Sequence, residues 1–480
     1  MAHGGSPTKQ TPWHYTLLTG SELIDDCPAC GRPTFSFPLR GSFGLQLLEE
    51  NPLFATYLVT NVDFIASNGS GIQHRVTGRG TFRVGGEVAL VQEMHLEVLI
   101  WPFESDTPYA QLETKLVPVE RRWPMLQLEL NQTNGTLLQT YHLRLAAAPF
   151  SEIWFSTARN FTSGTLPPSE AAVSAGDLLS NLGRPVRRNR ELMRNLGIMP
   201  VVPDLGLDGV DVRPGGELAF TVEQSFTSER LGQLQHGDVL SDRGQLLVKN
   251  QLLLTAFGIQ PPVPDLGLDA VQIVSESNGK PDEVWFSIEQ EAFSERLGQR
   301  LQRGDVLSNR GQIIRSNREL LGRFKPAESG VDYGLDAFYV WSSGEVWFST
   351  EKEFRGTDGQ SYGDGDLLSD QGYVVAHNLE LVRGLAPQED LANFGLDALW
   401  LVTDDIPSVP PPRVTSFSLN EQTGTTTLRW DGLGRVFQVE GAPDIRGPYQ
   451  PVSFVIPQLE YQDLGASRMS GIRFYRVRQW

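Results

Sequence analysis

The sequence predicts an all-β protein in three parts: an N-terminal antiparallel β-barrel or sandwich, a β-propeller-like repeat array of about four units, and a C-terminal β-sandwich. Three observations support this prediction. Apolar residues alternate with polar ones over residues 33–150, four related segments follow one another over residues 151–405, and alternation returns from about residue 413 to the end. The 48 Gly and 31 Pro residues suit a chain with many turns.

The first part shows the period of two that a half-buried strand requires. HRVTGRGTFRVGG and MLQLELNQTNG are examples, and Asn134-Gly135 is a strong hairpin turn. These patterns predict about seven antiparallel strands over residues 33–150. Residues 1–32 are predicted to be a poorly ordered lead-in that ends at a Cys pair, and their start lacks the apolar stretch of a signal peptide.

Cys27 and Cys30 are the two cysteines of the chain. Their C-P-x-C-G context resembles half of a zinc ribbon, but zinc needs four ligands and there is no second Cys pair. A local disulfide in an oxidising compartment is the preferred prediction. A redox pair is the third alternative, since no βαβ pattern surrounds the two residues.

Two phrases repeat in step along the second part. Gly-Leu-Asp begins at Gly206, Gly267, Gly334 and Gly395, and the intervals are 61, 67 and 61 residues by subtraction. Gly-Asp-[Leu/Val]-Leu-Ser begins at Gly176, Gly237, Gly304 and Gly365, with the same intervals. Two landmarks that move together establish a repeat of three or four short strands per unit.

Each unit also carries an aromatic strand such as EVWFST and an Asn-x-x-Leu phrase whose Asn is predicted to cap a helical turn. Such a unit cannot bury both faces alone, so neighbouring units must stack. The series opens with WFS and closes with an extra GLDALWLV, which suits a propeller blade shared between the two ends. A β-solenoid is the alternative.

The repeated aspartates are interpreted as structural marks, because a catalytic site needs unlike groups that converge once. A structural array predicts that each Asp bonds to backbone within its own unit. An enzyme predicts that Asp269 is free and faces a cleft with other ionisable groups. The marked residues are Asp208, Asp269, Asp336, Asp397, Asp177, Asp238, Asp305 and Asp366.

The fourth unit offers the best metal candidate. Asp364, Asp366 and Asp370 stand close together in YGDGDLLSD, an oxygen-rich set that suits Ca²⁺. No other cofactor is predicted. After the aromatic strands stand Glu223, Glu289 and Glu351, with Ala158 in the first unit; they are interpreted as a solvated strand face, with a channel lining as the alternative.

Other motifs receive structural interpretations. Gly359–Gly363 spells G-x-S-x-G but lacks the strand-turn-helix context of a hydrolase elbow. The basic stretch at residues 184–190 is predicted to be an edge strand. Trp and Phe alternate in EVWFS, so one of each pair is predicted to be core, with Phe the packing residue because Ala219 replaces Trp in the second unit.

Residues 406–412 are a proline-rich linker, and TTTLRW, RVFQVEGAPD and FYRVRQW follow it as strands. These segments resemble a fibronectin type III module. Together with the GLDAV, GEVWFS and GDLLSD repeats, they resemble uncharacterised secreted proteins of environmental bacteria. The resemblance implies export and a role at the cell surface or in the extracellular space.

The net charge of −18 disfavours nucleic-acid binding, and no apolar run is long enough for a transmembrane helix. The predicted function is therefore non-catalytic binding of a protein or glycan by loops of the repeat array, with the loop 162–175 and the insertion at 275–281 as candidates. The alternatives are a propeller-borne glycosidase or lyase and a structural or assembly protein.

Overall fold

The protein was analysed as a computed structural model that describes residues 12–68, 71–102, 109–198, 203–263, 265–407, 409–420, 422–464 and 473–480. The chain forms two compact bodies. The N-terminal body comprises the residues up to Ser151 with Ser342–Gly344 and Thr403–Asp405, and the repeat body comprises the rest. The all-β prediction is confirmed. Among the described residues, no helix has the length and apolar character that crossing a lipid bilayer requires.

The N-terminal body is a single antiparallel sheet that closes on itself. Strand β10 pairs with β9 on one side and with β1 and β2 on the other, and both β1 and β2 pair with β3. The alternating apolar side chains, among them Tyr15, Phe64 and Phe82, form the buried interior. Its strands are β1 (Trp13–Leu17), β2 (Glu22–Asp26), β3 (Phe35–Glu50), β4 (Phe54–Asn68), β5 (Gly71–Gly85), β6 (Val91–Trp101), β7 (Tyr109–Glu113), β8 (Val117–Pro118), β9 (Leu126–Gln132) and β10 (Thr140–Ala148).

The structure differs from the sequence prediction at the lead-in. Strands β1 and β2 lie within residues 1–32 and fill one position of the closed sheet. Each is five residues long, too short for its alternation to stand out in sequence. Residues 1–11 lie outside the described part of the chain. Cys27 and Cys30 are joined by a disulfide, and Cys27 Sγ accepts a 3.1 Å hydrogen bond from the Cys30 N–H.

The repeat array consists of four antiparallel four-stranded sheets. Each sheet has a small two-stranded hairpin, which lies along the chain between the two central strands of that sheet. In chain order the strands are β11 (Phe150–Phe155), β12 (Phe161–Thr162), β13 (Ala172–Val173), β14 (Leu178–Ser180), β15 (Arg184–Arg187), β16 (Val210–Arg213), β17 (Glu217–Phe220), β18 (Phe226–Ser228), β19 (Gly232–Leu234), β20 (Val239–Ser241), β21 (Gln245–Val248), β22 (Val271–Ser277), β23 (Lys280–Phe286), β24 (Ala292–Ser294), β25 (Gln299–Leu301), β26 (Val306–Ser308), β27 (Gln312–Arg315), β28 (Phe338–Val340), β29 (Val346–Phe348), β30 (Phe354–Arg355), β31 (Ser361–Tyr362), β32 (Leu367–Ser369), β33 (Tyr373–Ala376) and β34 (Leu399–Thr403).

The array closes because its last strand completes its first sheet. Sheet 1 is β15-β14-β11-β34, sheet 2 is β16-β17-β20-β21, sheet 3 is β22-β23-β26-β27 and sheet 4 is β28-β29-β32-β33. A buried hydroxyl then joins every sheet to the next. Ser156 donates to the Leu207 carbonyl, Thr221 to Leu268, Ser287 to Leu335 and Ser349 to Leu396, over 2.6, 3.2, 3.1 and 2.8 Å.

A short helix follows each sheet: α1 (Asn189–Leu192), α2 (Asn250–Leu254), α3 (Asn317–Leu321) and α4 (Asn378–Leu381), with 3₁₀ turns at Thr255–Phe257 and Arg383–Leu385. The repeated Asn does not cap its helix as the sequence predicted, because it is already the first helical residue. Its amide instead binds the chain that leads into the next sheet. The Asn378 side chain, for example, accepts from Phe394 N–H (2.7 Å) and donates to the Gly395 carbonyl (2.8 Å).

Both aromatic residues of the repeated strand are buried in sheets 1 and 4, whereas Trp285 of sheet 3 is half-buried. Trp347 and Phe348 are 0% exposed, and so are Trp154 and Phe155. The prediction that Phe packs in the core fits these positions, but Trp is equally enclosed in two of the three sheets that have it. Adjacent side chains point to opposite faces, so a sheet between two neighbours buries both.

Two three-stranded sheets form the C-terminal part: β35-β36-β39 and β38-β37-β40. Trp430 and Phe437 pack between them. This part lies against the ends of sheets 1 and 2, where Gly215 N–H donates to the Gly434 carbonyl and Arg184 to the Val455 carbonyl. The strands are β35 (Arg413–Asn420), β36 (Thr425–Asp431), β37 (Phe437–Ala442), β38 (Gln450–Pro451), β39 (Glu460–Asp463) and β40 (Phe474–Gln479).

Candidate functional site: a carboxylate pocket

The connections of the array gather at its two ends. In sheet 2, Asp208 precedes β16, Glu223 follows β17, and the hairpin β18–β19 and helix α2 lie at that same end, because neighbouring strands are antiparallel. We call this end the hairpin face. The tight β16–β17 and β20–β21 turns lie at the opposite end, the turn face. The C-terminal sheets contact the array at the turn face.

Gly-Leu-Asp brings a carboxylate into the centre of the hairpin face. All four glycines adopt left-handed φ angles between 71° and 77°, which only Gly adopts without strain. A Cβ at Gly206, Gly267 or Gly334 would collide with Glu223, Glu289 or Glu351 respectively, and at Gly395 with Ala158. Each Glu therefore lies directly over the turn that aims the neighbouring Asp.

These carboxylates line one open pocket of about 350 Å³. The aspartates of the Gly-Leu-Asp phrase, which were predicted to be structural, therefore lie close to one another instead of each closing a separate turn. Glu223 is exposed at the mouth, whereas Asp208 is 8% exposed. The lining consists of Asp208, Glu223, Asp269, Glu289, Arg303, Asp336 and Glu351. Asp397 of sheet 1 adds its charge, because it raises the pKa of the other three aspartates.

Two of the aspartates have an unpartnered oxygen in the pocket. Asp208 Oδ2 and Asp269 Oδ2 are buried, and neither has a hydrogen-bond partner among the described residues. A structural role predicted that each Asp bonds to backbone of its own unit, but these two oxygens make no such bond within the described chain. Asp269 instead has the environment that the sequence analysis associated with an enzyme, a cleft shared with other ionisable groups.

Burial and mutual repulsion both favour protonated carboxyls here. Desolvation is the main cause that raises the pKa of Asp208, Asp269 and Asp336 well above the usual value, and neighbouring carboxylates raise it further. The same causes raise the pKa of Asp397 to about 7. Burial also raises the pKa of Glu351 to about 7, although the nearby Arg303 guanidinium opposes this shift.

Basic side chains contact the pocket glutamates from one variable position of the repeat, the residue just before Gly-Asp. Arg303 of sheet 3 pairs with Glu351 of sheet 4 over 2.5 Å, and His236 of sheet 2 lies 3.2 Å from Glu289 of sheet 3. The equivalent residues are Ala175 in sheet 1 and Asp364 in sheet 4. Arg303 and His236 were not predicted as site residues, although they are the two basic side chains at this position of the repeat.

The second series of repeated aspartates has a purely local role. Oδ1 of Asp177, Asp238, Asp305 or Asp366 accepts the N–H of the first helical Asn over 2.8 to 3.0 Å. The other oxygen accepts the N–H three residues earlier, over 3.0 to 3.1 Å. Each carboxylate therefore links the start of a short helix to the turn that precedes β14, β20, β26 or β32 in the same repeat.

The predicted calcium ligands bind different parts of the protein. Asp366 belongs to the series just described, Asp370 accepts from Val346 N–H over 3.2 Å, and Asp364 accepts from the Asn393 amide. In the described part of the chain, no cluster of three or more His, Cys, Asp or Glu has the geometry to hold a metal ion. Calcium at Asp364, Asp366 and Asp370 stays a prediction.

The remaining candidates lie outside the pocket lining. Ser361 of Gly359–Gly363 is exposed in β31, and His377 contacts Asp366 at 3.3 Å. In the basic stretch, Arg184 pairs with Glu152. The loop 162–175 lies at the hairpin face, where Thr162 N–H bonds to Glu389, whereas the insertion at 275–281 extends a hairpin at the turn face.

Comparison with known proteins gives distant neighbours only. No protein-family model and no curated sequence matches the chain. Among solved structures, PorZ, a surface component of the type-IX secretion system of Porphyromonas gingivalis, matches with 12% identity over 92% of this chain and 78% of its own, at a TM-score of 0.19.

Two structures of an extracellular domain of the BT4673 system from B. thetaiotaomicron also match. One is 6% identical over 98% of this chain and 97% of its own, with a TM-score of 0.17. The other is 9% identical over 99% and 79%, with a TM-score of 0.19. These neighbours are bacterial surface or extracellular domains.

Proposed function

We propose that the chain is a non-catalytic binding protein of the extracellular space or cell surface, which captures a positively charged protein ligand on the hairpin face of a four-bladed β-propeller. The observation that carries this proposal is the carboxylate pocket. Seven carboxyl groups converge there, whereas the pocket lining contains one cation, Arg303. A cation that enters such a cluster favours the ionised form of the carboxyls, and the resulting opposite charges attract and orient the ligand.

The pocket chemistry favours a basic protein over a neutral glycan. All seven of the residues that line it are charged, and none is aromatic. The repeated Trp and Phe, which could have served as sugar platforms, are largely used in the core. A neutral sugar would desolvate these carboxylates without compensating their charge, and desolvation of that kind is costly.

The Cys27–Cys30 disulfide supports a location outside the cytoplasm, since disulfides persist in oxidising compartments. The resemblance of the repeats to secreted bacterial proteins points the same way.

A glycosidase or lyase is the second candidate, because Asp269 faces the pocket with an unpartnered oxygen. Glycoside hydrolysis uses two carboxyls whose environments push their pKa values apart, so that one is protonated and the other ionised. Here the aspartates and glutamates of the pocket are all shifted in the same direction by the same burial. That uniformity suits a binding surface better than an acid–base pair.

Protein and glycan arrays would test the proposal. We expect the wild-type protein to bind basic proteins, the doubly neutralised variant Glu223→Gln/Glu289→Gln to bind them weakly, and Asp282→Asn at the turn face to bind normally. The same glycans, incubated with the protein and analysed by mass spectrometry, should be recovered intact. Glycan cleavage that is lost in Asp269→Asn would overturn the proposal in favour of the enzyme.

A further inference from the structure

The pocket is not symmetric, and its asymmetry defines a vacant half. Two of the four sheet boundaries carry a basic side chain of their own: His236 reaches Glu289, and Arg303 reaches Glu351. At the boundary of sheets 1 and 2 the equivalent residue is Ala175, which has no charge to offer Glu223. In the described part of the chain, Glu223 makes no ion pair, and its strongest charged neighbour is another carboxylate, Asp204.

The first sheet also lacks the Glu that covers the Gly-Leu-Asp turn elsewhere. Ala158 occupies that place against Gly395. Sheet 1 therefore contributes two alanines where its neighbours contribute a carboxylate and a variable polar group. At this boundary sheet 1 therefore offers small side chains, whereas sheet 2 offers Glu223 and Asp208.

On the sheet 2 side of this boundary, the pocket has a buried oxygen without a hydrogen-bond partner in the described part of the chain. Asp208 is 8% exposed, it lines the pocket, and its Oδ2 has no hydrogen-bond partner among the described residues. Burying an ionised oxygen without a partner is costly, and a ligand that donates to it removes this cost. Asp208 and Glu223 belong to the same sheet; the charge of Asp397 raises the pKa of Asp208, and the charge of Glu223 raises the pKa of Asp397.

We propose that this half of the pocket, formed by Glu223, Asp208 and Asp397 at the boundary of sheets 1 and 2, binds the guanidinium or ammonium group of an arginine or lysine side chain of the protein ligand. The inference rests on the proposed function and specifies which group of the ligand enters. The protein itself provides the precedent, because at the next-but-one boundary the equivalent place holds the guanidinium of Arg303.

The distribution of acceptors favours an organic cation over a metal ion. Unpartnered oxygens occur on separate sheets, at Asp208, Asp269 and Glu351. No metal-binding group of three or more side chains was found in the described chain, so a compact ion would not reach enough ligands at once. A guanidinium has five N–H donors in a fixed plane and an ammonium has three, so either can serve several spread acceptors.

Calorimetric titration of the full chain with a blocked Gly-Arg-Gly peptide tests the inference directly. We expect saturable one-to-one binding, about tenfold weaker in Glu223→Gln and unchanged in Glu353→Gln, an exposed glutamate outside the pocket lining. The decisive variant is Ala175→Arg, which places an internal guanidinium at the vacant boundary and should abolish peptide binding. Ala172→Arg adds the same charge to the exposed strand β13 nearby and should leave binding within about twofold of wild type.

Each other result has a definite meaning. Spermidine and CaCl₂ serve as competitors. If spermidine binds more tightly than the peptide, the conclusion that the cation belongs to a protein is wrong. If calcium binds in place of the peptide, the conclusion that the ligand is an organic cation is wrong. Peptide binding that survives Ala175→Arg, or that is absent in the wild type, also overturns the inference. Peptide binding together with glycan cleavage would leave this inference standing while the non-catalytic function fails.

Discussion

The Ser349 hydroxyl donates a 2.8 Å hydrogen bond to the carbonyl oxygen of Leu396, and both groups are buried between the fourth sheet and the first. This bond is the last of four equivalent ones and joins the end of the array to its beginning. Because Leu396 lies between the glycine and the aspartate of the repeated phrase, the same contact that closes the array also positions Asp397 at the pocket.

Removing this hydroxyl should weaken the closure. Ser349→Ala leaves a buried carbonyl without its donor, so we expect the free energy of unfolding to fall by about 1–2 kcal/mol. Thr221→Ser keeps the hydroxyl of the equivalent contact and serves as the control, with a change well below that of Ser349→Ala. Denaturant titration measures both, and equal losses would contradict a hydrogen-bond role.

Two glycines with nearly the same φ separate backbone strain from crowding. Gly334 (φ +71°) lies against Glu351, whereas Gly330 (φ +78°) has no neighbouring atom within 4 Å of a built Cβ. We expect Gly330→Ala to cost about 1 kcal/mol through its left-handed backbone alone. Gly334→Ala should cost roughly twice that or more, since Glu351 must also move. Thermal unfolding of both variants would show the difference, and equal costs would mean that Glu351 yields freely.

Two aspartates of the same repeat should respond oppositely to neutralisation. Asp208→Asn removes a buried carboxyl that has an unpartnered oxygen and whose ionisation burial opposes, so the protein should become more stable at pH 8, by roughly 1–3 kcal/mol. Asp238→Asn replaces a carboxylate whose two oxygens accept backbone N–H bonds of 3.0 and 3.1 Å, so it should destabilise the protein. Stability changes of the same sign in the two variants would refute the distinction between pocket and structural aspartates.

The pocket also makes stability depend on pH. Asp397 titrates near 3.8 when unfolded, whereas in the folded protein its pKa is raised to about 7 by burial and by the charges of Glu223 and Asp364. The folded state therefore binds the proton more tightly, and the associated stability is present in full below pH 3.8 and is lost as the pH rises through 7. We expect the free energy of unfolding to decline from pH 5 to pH 8, and to decline less in Asp397→Asn. Stability that rises over this interval would contradict the raised pKa.

The core assignment of the aromatic strand is tested by a matched pair of phenylalanines. Phe348 is 0% exposed and contacts Phe324 in the core, whereas Phe293 is 50% exposed. Phe348→Ala should cost about 3–5 kcal/mol, as large-to-small changes in cores do. Phe293→Ala should cost well under half of that. A loss below about 1 kcal/mol for Phe348→Ala in a denaturant titration would exclude the core role.

The sequence by itself determined the all-β class and the repeat with its unequal spacing. Strand alternation and recurring phrases are local properties of the chain, so they can be read without coordinates. The extra GLDALWLV likewise indicated a shared unit, and in the structure the strand it leads into completes sheet 1. The two short strands at residues 13–26 escaped prediction, because five residues give too little alternation to recognise.

Only the tertiary structure decided what the two series of repeated aspartates do. Both series follow a repeated glycine by one or two residues in four copies, so they look alike in the sequence. Asp238 and its equivalents accept hydrogen bonds from backbone N–H groups of their own repeat, whereas Asp208, Asp269 and Asp336 line one pocket and Asp397 lies close enough to raise their pKa values. The difference arises when the array closes on itself, since closure brings together four side chains that lie about sixty residues apart along the chain. A residue that repeats for the sake of the fold can thereby form a site, because the electrostatic field at the centre is the sum of all the copies.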